Sequence, residues 1–102
     1  MNKSRLKLDE MLKEILSSNE VYFQRPQSKA MSYPAIVYTR SKINNDHADN
    51  KVYRQTYAYV VTVMDKNPDS AIVEKVSKLP KCKFDTHYTK DGLNHDVFII
   101  NI

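Results

Sequence analysis

The residues of this chain best suited to acid–base, metal or nucleophilic chemistry are three histidines and one cysteine. His87 and His95 lie on either side of a predicted turn, on the exposed face of a hairpin. Because a metal site needs three or four converging ligands, we interpret both as solvated strand residues. Cys82 alternates inward between two lysines, which is typical of a small core residue rather than a nucleophile. A single cysteine excludes an internal disulfide and favours a reducing cytoplasm.

The third histidine, His47, lies in the polar segment SKINNDHADN, residues 41–50, whose one large apolar residue is Ile43. Asp46 and Asp49 flank His47, but a calcium loop also needs further oxygen ligands and a glycine at its turn. Turn-forming residues at most positions predict a long loop between two strands. Since loops of this length are commonly functional, Asp46, His47 and Asp49 are candidate partner contacts.

The sequence contains few signs of a phosphate-binding or nucleic-acid-binding site. The chain has one glycine and therefore no glycine-rich phosphate loop. Its net charge of +4, from 16 basic and 12 acidic residues, is spread along the sequence and supports at most weak phosphate contact. The tyrosines are arranged unlike the aromatic motifs of RNA-binding sheets. We therefore predict no enzyme activity, no cofactor, no metal and no small-molecule substrate.

The segment that positions the rest is KVYRQTYAYVVTVMD, residues 51–65, which predicts a long central strand because tyrosines and β-branched residues dominate it. Successive side chains of a strand point to opposite faces. The more buried face is predicted to carry Tyr53, Tyr57, Tyr59, Val61 and Val63. The second face mixes apolar and polar residues: Val52, Arg54, Thr56, Ala58, Val60, Thr62 and Met64. That mixture suits partial cover by a helix or by a neighbouring subunit.

Helical spacing of apolar residues predicts a first helix over 5–17. Strands are predicted at 21–23 and 33–39, and a second helix starts with Asn67 as N-cap and Pro68 at its first position. The last segment predicts a hairpin. A two-residue turn, Asp91-Gly92, would split its apolar residues between faces, whereas a three-residue turn from Lys90 would keep Cys82 and Phe84 on the face of Phe98. We favour the three-residue turn.

Together these elements predict an α+β fold: a mainly antiparallel sheet of four to five strands with two helices packed on it, in the order α-β-β-β-α-β-β. A chain of 102 residues accommodates one domain, residues 1–102, with one modest core. The charged start and the lack of any apolar run near the roughly 18 residues of a membrane span predict neither a signal peptide nor a membrane segment.

Beyond these patterns, the chain resembles the tail terminator (tail completion) proteins, the head-tail joining proteins of long-tailed bacteriophages. The resemblance covers most of the chain and contains no catalytic motif. It is carried by Tyr33-Pro34-Ala35-Ile36-Val37-Tyr38, Ala48-Asp49-Asn50, the run 59–65, Asn67-Pro68-Asp69-Ser70, Leu79-Pro80, Phe84-Asp85, Tyr88 and the run 91–98.

The resemblance implies a structural protein of the virion neck, present in the host cytoplasm during assembly. It implies a homo-hexameric ring that contacts the tail tube protein on one side and the head connector or head-closure protein on the other, with genomic DNA passing only through the lumen. The loop at 41–50 would reach a partner or the lumen. Two alternatives stay open: a head-closure or adaptor ring of the same neck, and a small nucleic-acid-binding regulator.

A ring subunit needs two different complementary patches so that the rotation closes. We predict these on the second face of the central strand and on exposed strand edges, where aromatic and arginine residues supply interface energy. The predicted contacts are Arg54, Thr56, Val60 and Thr62 on that face, and Tyr22 and Tyr38 at the edges.

Overall fold

A computed structural model describes residues 3–24, 32–48 and 51–102, without the side chains of residues 3, 4, 42, 44–48 and 52–55. Within these residues the chain forms two helices and five strands. They are α1 (Lys3–Leu16), β1 (Val21–Phe23), β2 (Ala35–Ala48), β3 (Lys51–Asp65), α2 (Ala71–Ser77), β4 (Cys82–Lys90) and β5 (Leu93–Asn101).

The strands form one sheet in the order β1-β2-β3-β5-β4. The β1 strand runs parallel to β2, and the other three pairings are antiparallel. The sheet is therefore mixed but mainly antiparallel, and the predicted α+β class is confirmed. The central strand was predicted over the residues that β3 occupies, and β3 pairs with strands on both sides because its β-branched and aromatic residues suit a packed sheet.

Both helices pack on one face of the sheet, which we call the helix face. Helix α1 has apolar residues at helical spacing, and Leu8, Leu12 and Leu16 are buried. Helix α2 contributes Val76, which is fully buried. These residues form one core with Val21, Ile36, Tyr38, Tyr59, Val61, Val63, Phe98 and Ile100. The buried face predicted for the central strand is confirmed at Tyr59, Val61 and Val63.

The start of α2 differs from the prediction. Ser70, not Asn67, is the N-cap: its hydroxyl accepts a hydrogen bond from the backbone N–H of Ile72 at 3.2 Å. Asn67 instead closes the preceding turn, since its side-chain oxygen accepts the backbone N–H of Asp69 at 3.0 Å. Both residues are good caps, and the turn at Asn67 delays the helix by three residues.

The loop predicted over 41–50 is wrong as far as Ala48, because β2 continues as a strand to that residue. Its backbone pairs with β3 out to Ala48 opposite Lys51. On the other side of β3, β5 ends where Ile102 exchanges two backbone hydrogen bonds with Tyr57, at 2.8 and 3.0 Å. Residues 43–48 and 51–56 therefore form a two-stranded projection, which we call the arm, and the longest dimension of the molecule is 51 Å against 26 and 23 Å.

The hairpin of β4 and β5 has a two-residue turn, so the predicted three-residue turn is wrong. Lys90 lies opposite Leu93, and Asp91 and Gly92 have φ values of 53° and 75°. Positive φ at both central residues is the geometry that an Asp-Gly turn favours. A β-bulge between Phe84 and Thr86 then shifts the register by one residue, so that Phe84 lies opposite Phe98 after all.

Candidate subunit interface

The face of the sheet opposite the helices carries a partly apolar surface, which we call the open face. Two rows of side chains cross three strands there: Val37, Thr62 and Val97 in one row, and Thr39, Val60 and Ile99 in the next. Met64 extends the surface along β3. Antiparallel partners directly opposite each other point to the same side, so the rows form one continuous patch.

The open face is only partly covered by the described residues. The core residues of both helices pack on the helix face. On the open face Val37, Val60, Thr62 and Ile99 remain half-buried, whereas Val97 and Met64 are already buried. An apolar sheet face is stabilised when another layer covers it. The patch therefore has the character of a surface that a partner would bury. Its threonines tolerate contact with solvent while no partner is bound.

A hollow of about 230 Å³ lies at one end of the open face, lined by Val37, Thr62, Met64, Tyr88 and His95. The rings of Tyr88 and His95 stack with their centroids 4.6 Å apart and their planes 13° from parallel. The stack forms an aromatic wall, and Tyr88 is 46% exposed. Half-exposed aromatic residues beside a hollow are frequent anchors of protein interfaces.

Three predicted contact residues of the central strand have described side chains, and all three are half-buried: Thr56, Val60 and Thr62. Val60 and Thr62 lie at the middle of the open face, and Thr56 lies where the arm begins. Tyr22 lies opposite Val37 on the edge strand β1. Its hydroxyl donates a hydrogen bond to Glu20, which is the main reason why the pKa of Tyr22 is raised.

Tyr38 was predicted as an exposed edge residue, and this is wrong. It is fully buried, because its side chain lies in the core with Leu8 and Leu12 of α1, and its strand β2 is not an edge but is flanked by β1 and β3. The Tyr38 Oη donates to Asp9 Oδ1 at 2.8 Å and accepts from Arg5 Nη1 at 3.5 Å. Burial, followed by the hydrogen bond to Asp9, raises the pKa of Tyr38 to about 12. The hydrogen bonds of Tyr38 thus connect α1 to the sheet.

The same network continues along α1. The Asp9 carboxylate pairs with Lys13 at 2.8 Å, and the Arg5 guanidinium lies 4.7 Å from the centroid of the Phe23 ring. These contacts satisfy the polar edge of the core and hold the helix in place. They explain why Tyr38, whose ring also faces Tyr59 edge-on, is a structural residue.

The remaining predicted contacts lie in the arm. The backbones of Asp46 and Arg54 are paired with each other, and that of His47 with Val52. The side chains of Asp46, His47 and Arg54 lie outside the described residues, and so does the whole of Asp49. Their assignment as contact residues stays a prediction.

The histidines and the cysteine make local contacts. His87 Nδ1 lies 2.8 Å from Asp96 Oδ1, and His95 Nδ1 lies 3.2 Å from the Leu93 carbonyl oxygen. Cys82 is half-buried and packs against the core; burial raises the pKa of its thiol, which keeps the thiol protonated and poorly nucleophilic. In the described part of the chain, no three histidine, cysteine, aspartate or glutamate side chains are grouped to hold a metal ion.

Sequence reasoning missed Val37, Val97 and Ile99 as members of the open face. A signal for two of them was present in the run VFII, residues 97–100, where both alternating sets are apolar. A strand with two apolar faces is typical of a sheet covered on both sides. Here Phe98 and Ile100 enter the core, while Val97 and Ile99 lie on the open face.

Comparison with known proteins finds no protein-family model and no curated protein that matches this chain. Neither described helix has the length and apolar character needed to cross a membrane.

Proposed function

We propose that this protein is a structural subunit of the bacteriophage neck, forming a ring that ends the tail tube and joins it to the head connector. The proposal joins the resemblance of the sequence to tail terminators with one observation, the open face. A homo-hexameric ring is the assembly proposed. Its other partners are the tail tube protein on one side and the head connector or head-closure protein on the other.

The open face supports this proposal because it offers a ring subunit one of the two patches that it needs. Four of the six residues in the two cross-strand rows are half-buried: Val37, Val60, Thr62 and Ile99. A neighbouring subunit that covers these rows removes apolar surface from water, which stabilises an interface by about 25 cal/mol per Å² before association costs are subtracted. The second patch is assigned to the β1 edge near Tyr22 and to the arm.

The proposal also accounts for the form of the site. An assembly subunit acts through surface shape and needs no activated nucleophile, and the cysteine pKa is raised rather than lowered. The arm extends beyond the five-stranded part of the sheet, so it can contact a neighbouring subunit or another component of the neck.

A matched pair of substitutions tests the interface. Thr62→Glu places a carboxylate in the middle of the open face, whereas Thr89→Glu makes the same chemical change at an exposed position of β4, opposite Asn94 and away from the open face. Burying an unpaired charge costs several kcal/mol. We expect Thr62→Glu to remain folded but to weaken ring formation at least 100-fold, and Thr89→Glu to behave like the unmodified protein.

Native mass spectrometry and negative-stain images of the protein with its tail tube partner provide the measurements. The expected ring has six times the subunit mass of 11.9 kDa and caps the end of the tube. A protein that stays monomeric with its tube partner would contradict the ring, and equal oligomers for both variants would contradict the placement on the open face. A ring that binds the head connector but not the tube would instead indicate the adaptor role.

A further inference from the structure

A groove of about 250 Å³ lies on the other side of the molecule from the open face. Lys7 and Met11 of α1 form one wall, Pro80 and Lys81 form the other, and Ile100 and Ile102 form the floor. Ile100 and Ile102 lie on the helix face, since Ile100 is opposite Tyr59 in the sheet and belongs to the core. The groove is therefore open where α1 leaves the last strand uncovered.

The groove combines an apolar floor with a positive rim. Met11 and Ile102 are half-buried, whereas Lys7 and Lys81 are exposed. The wall at Lys81 is fixed by the backbone, because the Lys81 carbonyl accepts the backbone N–H of Asn101 at 3.2 Å. Both charged side chains that line the groove are thus lysines.

A second hollow, of about 370 Å³, shares Met11 with the groove and continues between α1 and α2. Its charged lining residues are Lys75 and Glu14, and its apolar ones are Ile15 and Leu79. Over the two hollows, three lysines face one glutamate. The second hollow is balanced, with one lysine and one glutamate, so the positive excess lies at the groove itself, at Lys7 and Lys81.

The volume of the groove indicates which kind of ligand fits it. Sites for drug-sized molecules and cofactors occupy about 300–1,000 Å³ and bury most of the ligand, and the groove of about 250 Å³ is smaller. One large apolar side chain fills such a space, as anchor residues do at protein interfaces. The lysines then favour carboxylates on the residues that flank the anchor.

We propose that this groove binds an acidic segment of a partner protein, through one apolar anchor side chain flanked by carboxylates. The inference goes beyond the proposed ring and does not depend on it, because the groove and the open face lie on opposite faces of the sheet. It assigns to each subunit a contact in addition to those of the ring, available whether or not the ring has closed.

The test uses a labelled hexapeptide with a central phenylalanine between two aspartates, titrated into protein with ¹³C-labelled methionine and isoleucine methyl groups. We expect shifts at Met11, Ile100 and Ile102, and none at Ile36, which is buried on β2 between Val21 of β1 and Val63 of β3 and does not line the groove. Matched peptides carry lysine in place of aspartate, or alanine in place of phenylalanine, and both are expected to bind at least tenfold more weakly.

Charge-reversal variants then test whether the lysines of the groove rim contact the peptide. Lys7→Glu together with Lys81→Glu should weaken binding of the acidic peptide at least about tenfold, because two surface ion pairs are lost and two repulsive contacts replace them. Lys83→Glu with Lys90→Glu changes the net charge equally at exposed positions of β4 and should leave affinity within about twofold. Circular dichroism verifies that each variant is folded.

Four results would overturn the proposal: no methyl shifts at millimolar peptide, equal binding of the lysine peptide, equal loss in the control pair, or groove shifts that depend on protein concentration alone. The last result would identify a second copy of this chain as the occupant.

Discussion

Two phenylalanines on neighbouring strands provide a direct test of the hairpin register. Phe98 is 1% exposed and Phe84 is 58% exposed, yet they lie directly opposite each other. Their rings meet edge-on, with centroids 5.7 Å apart and planes at 75°. Truncating each ring to alanine, alone and together, separates the cost of burial from the energy of the contact.

The expected magnitudes follow from the burial of each ring. Phe98→Ala should lower the free energy of unfolding by about 3–5 kcal/mol, as for other buried phenylalanines. Phe84 is less than half-buried, and full burial of such a side chain is worth about 1.5–3 kcal/mol, so Phe84→Ala should cost about 1–2 kcal/mol including the ring contact. The double variant should lose less than the sum by about 0.5–1.5 kcal/mol, the energy of an aromatic pair.

Urea unfolding at pH 7 measures all four proteins. If Phe98→Ala is too unstable, since domains have only about 5–15 kcal/mol in total, Phe98→Leu replaces it. Tyr88→Ala is the control: this half-exposed aromatic residue of β4 stacks on His95 on the open face and should not couple to Phe98. Coupling of Phe84 to Phe98 within about 0.3 kcal/mol of zero, or equal coupling from Tyr88, would refute the bulged register.

Two further predictions concern the helices. Burial and the hydrogen bond to Asp9 favour the neutral phenol of Tyr38, so the unfolded chain loses the phenol proton near pH 10, whereas the folded protein keeps it to about pH 12. The free energy of unfolding should therefore fall between these two pH values. The fall should be about 2 kcal/mol larger than in Tyr38→Phe, which has no phenol proton to lose. Denaturant titrations across this range check it, and parallel curves for the two proteins would contradict it. Ser70→Ala removes the cap of α2 and should cost about 1 kcal/mol in thermal or urea unfolding, whereas Asn67→Ala should cost clearly less; the reverse order would contradict the assigned cap.

The parts of the fold that sequence reasoning predicted are those where side-chain burial decides the structure. The alternation of residues 57–63 predicted the buried face of β3, and the helical spacing of apolar residues predicted the buried face of α1. Both patterns arise because these faces contact one core. Tyr38 was misplaced for the opposite reason. Its strand could be predicted, but its neighbours in the sheet could not, and a parallel pairing with β1 converted a supposed edge into the interior.

The hairpin shows how a wrong turn can accompany correct faces. Apolar residues required Phe84 to share a side with Phe98, and we assigned the extra residue that this requires to the turn at Lys90. The protein places it in a bulge between Phe84 and Thr86, which leaves Asp91-Gly92 free to form the two-residue turn that its residue types favour. The turn preference of Asp91-Gly92 and the apolar face of Phe84 and Phe98 are therefore both satisfied. Only the position of the extra residue could not be predicted from the sequence.

The arm was not predictable from its own residues because nothing in SKINNDHA, residues 41–48, requires burial. A strand needs a partner for its backbone N–H and C=O groups, and that requirement does not depend on side-chain polarity. The partner here is the start of β3, KVYRQT, whose residues favour extended structure strongly enough to hold a polar segment beside them. The arm thus extends the sheet, and it places Asp46 and His47 on a strand rather than on the predicted loop, which is the more rigid support that an assembly contact requires.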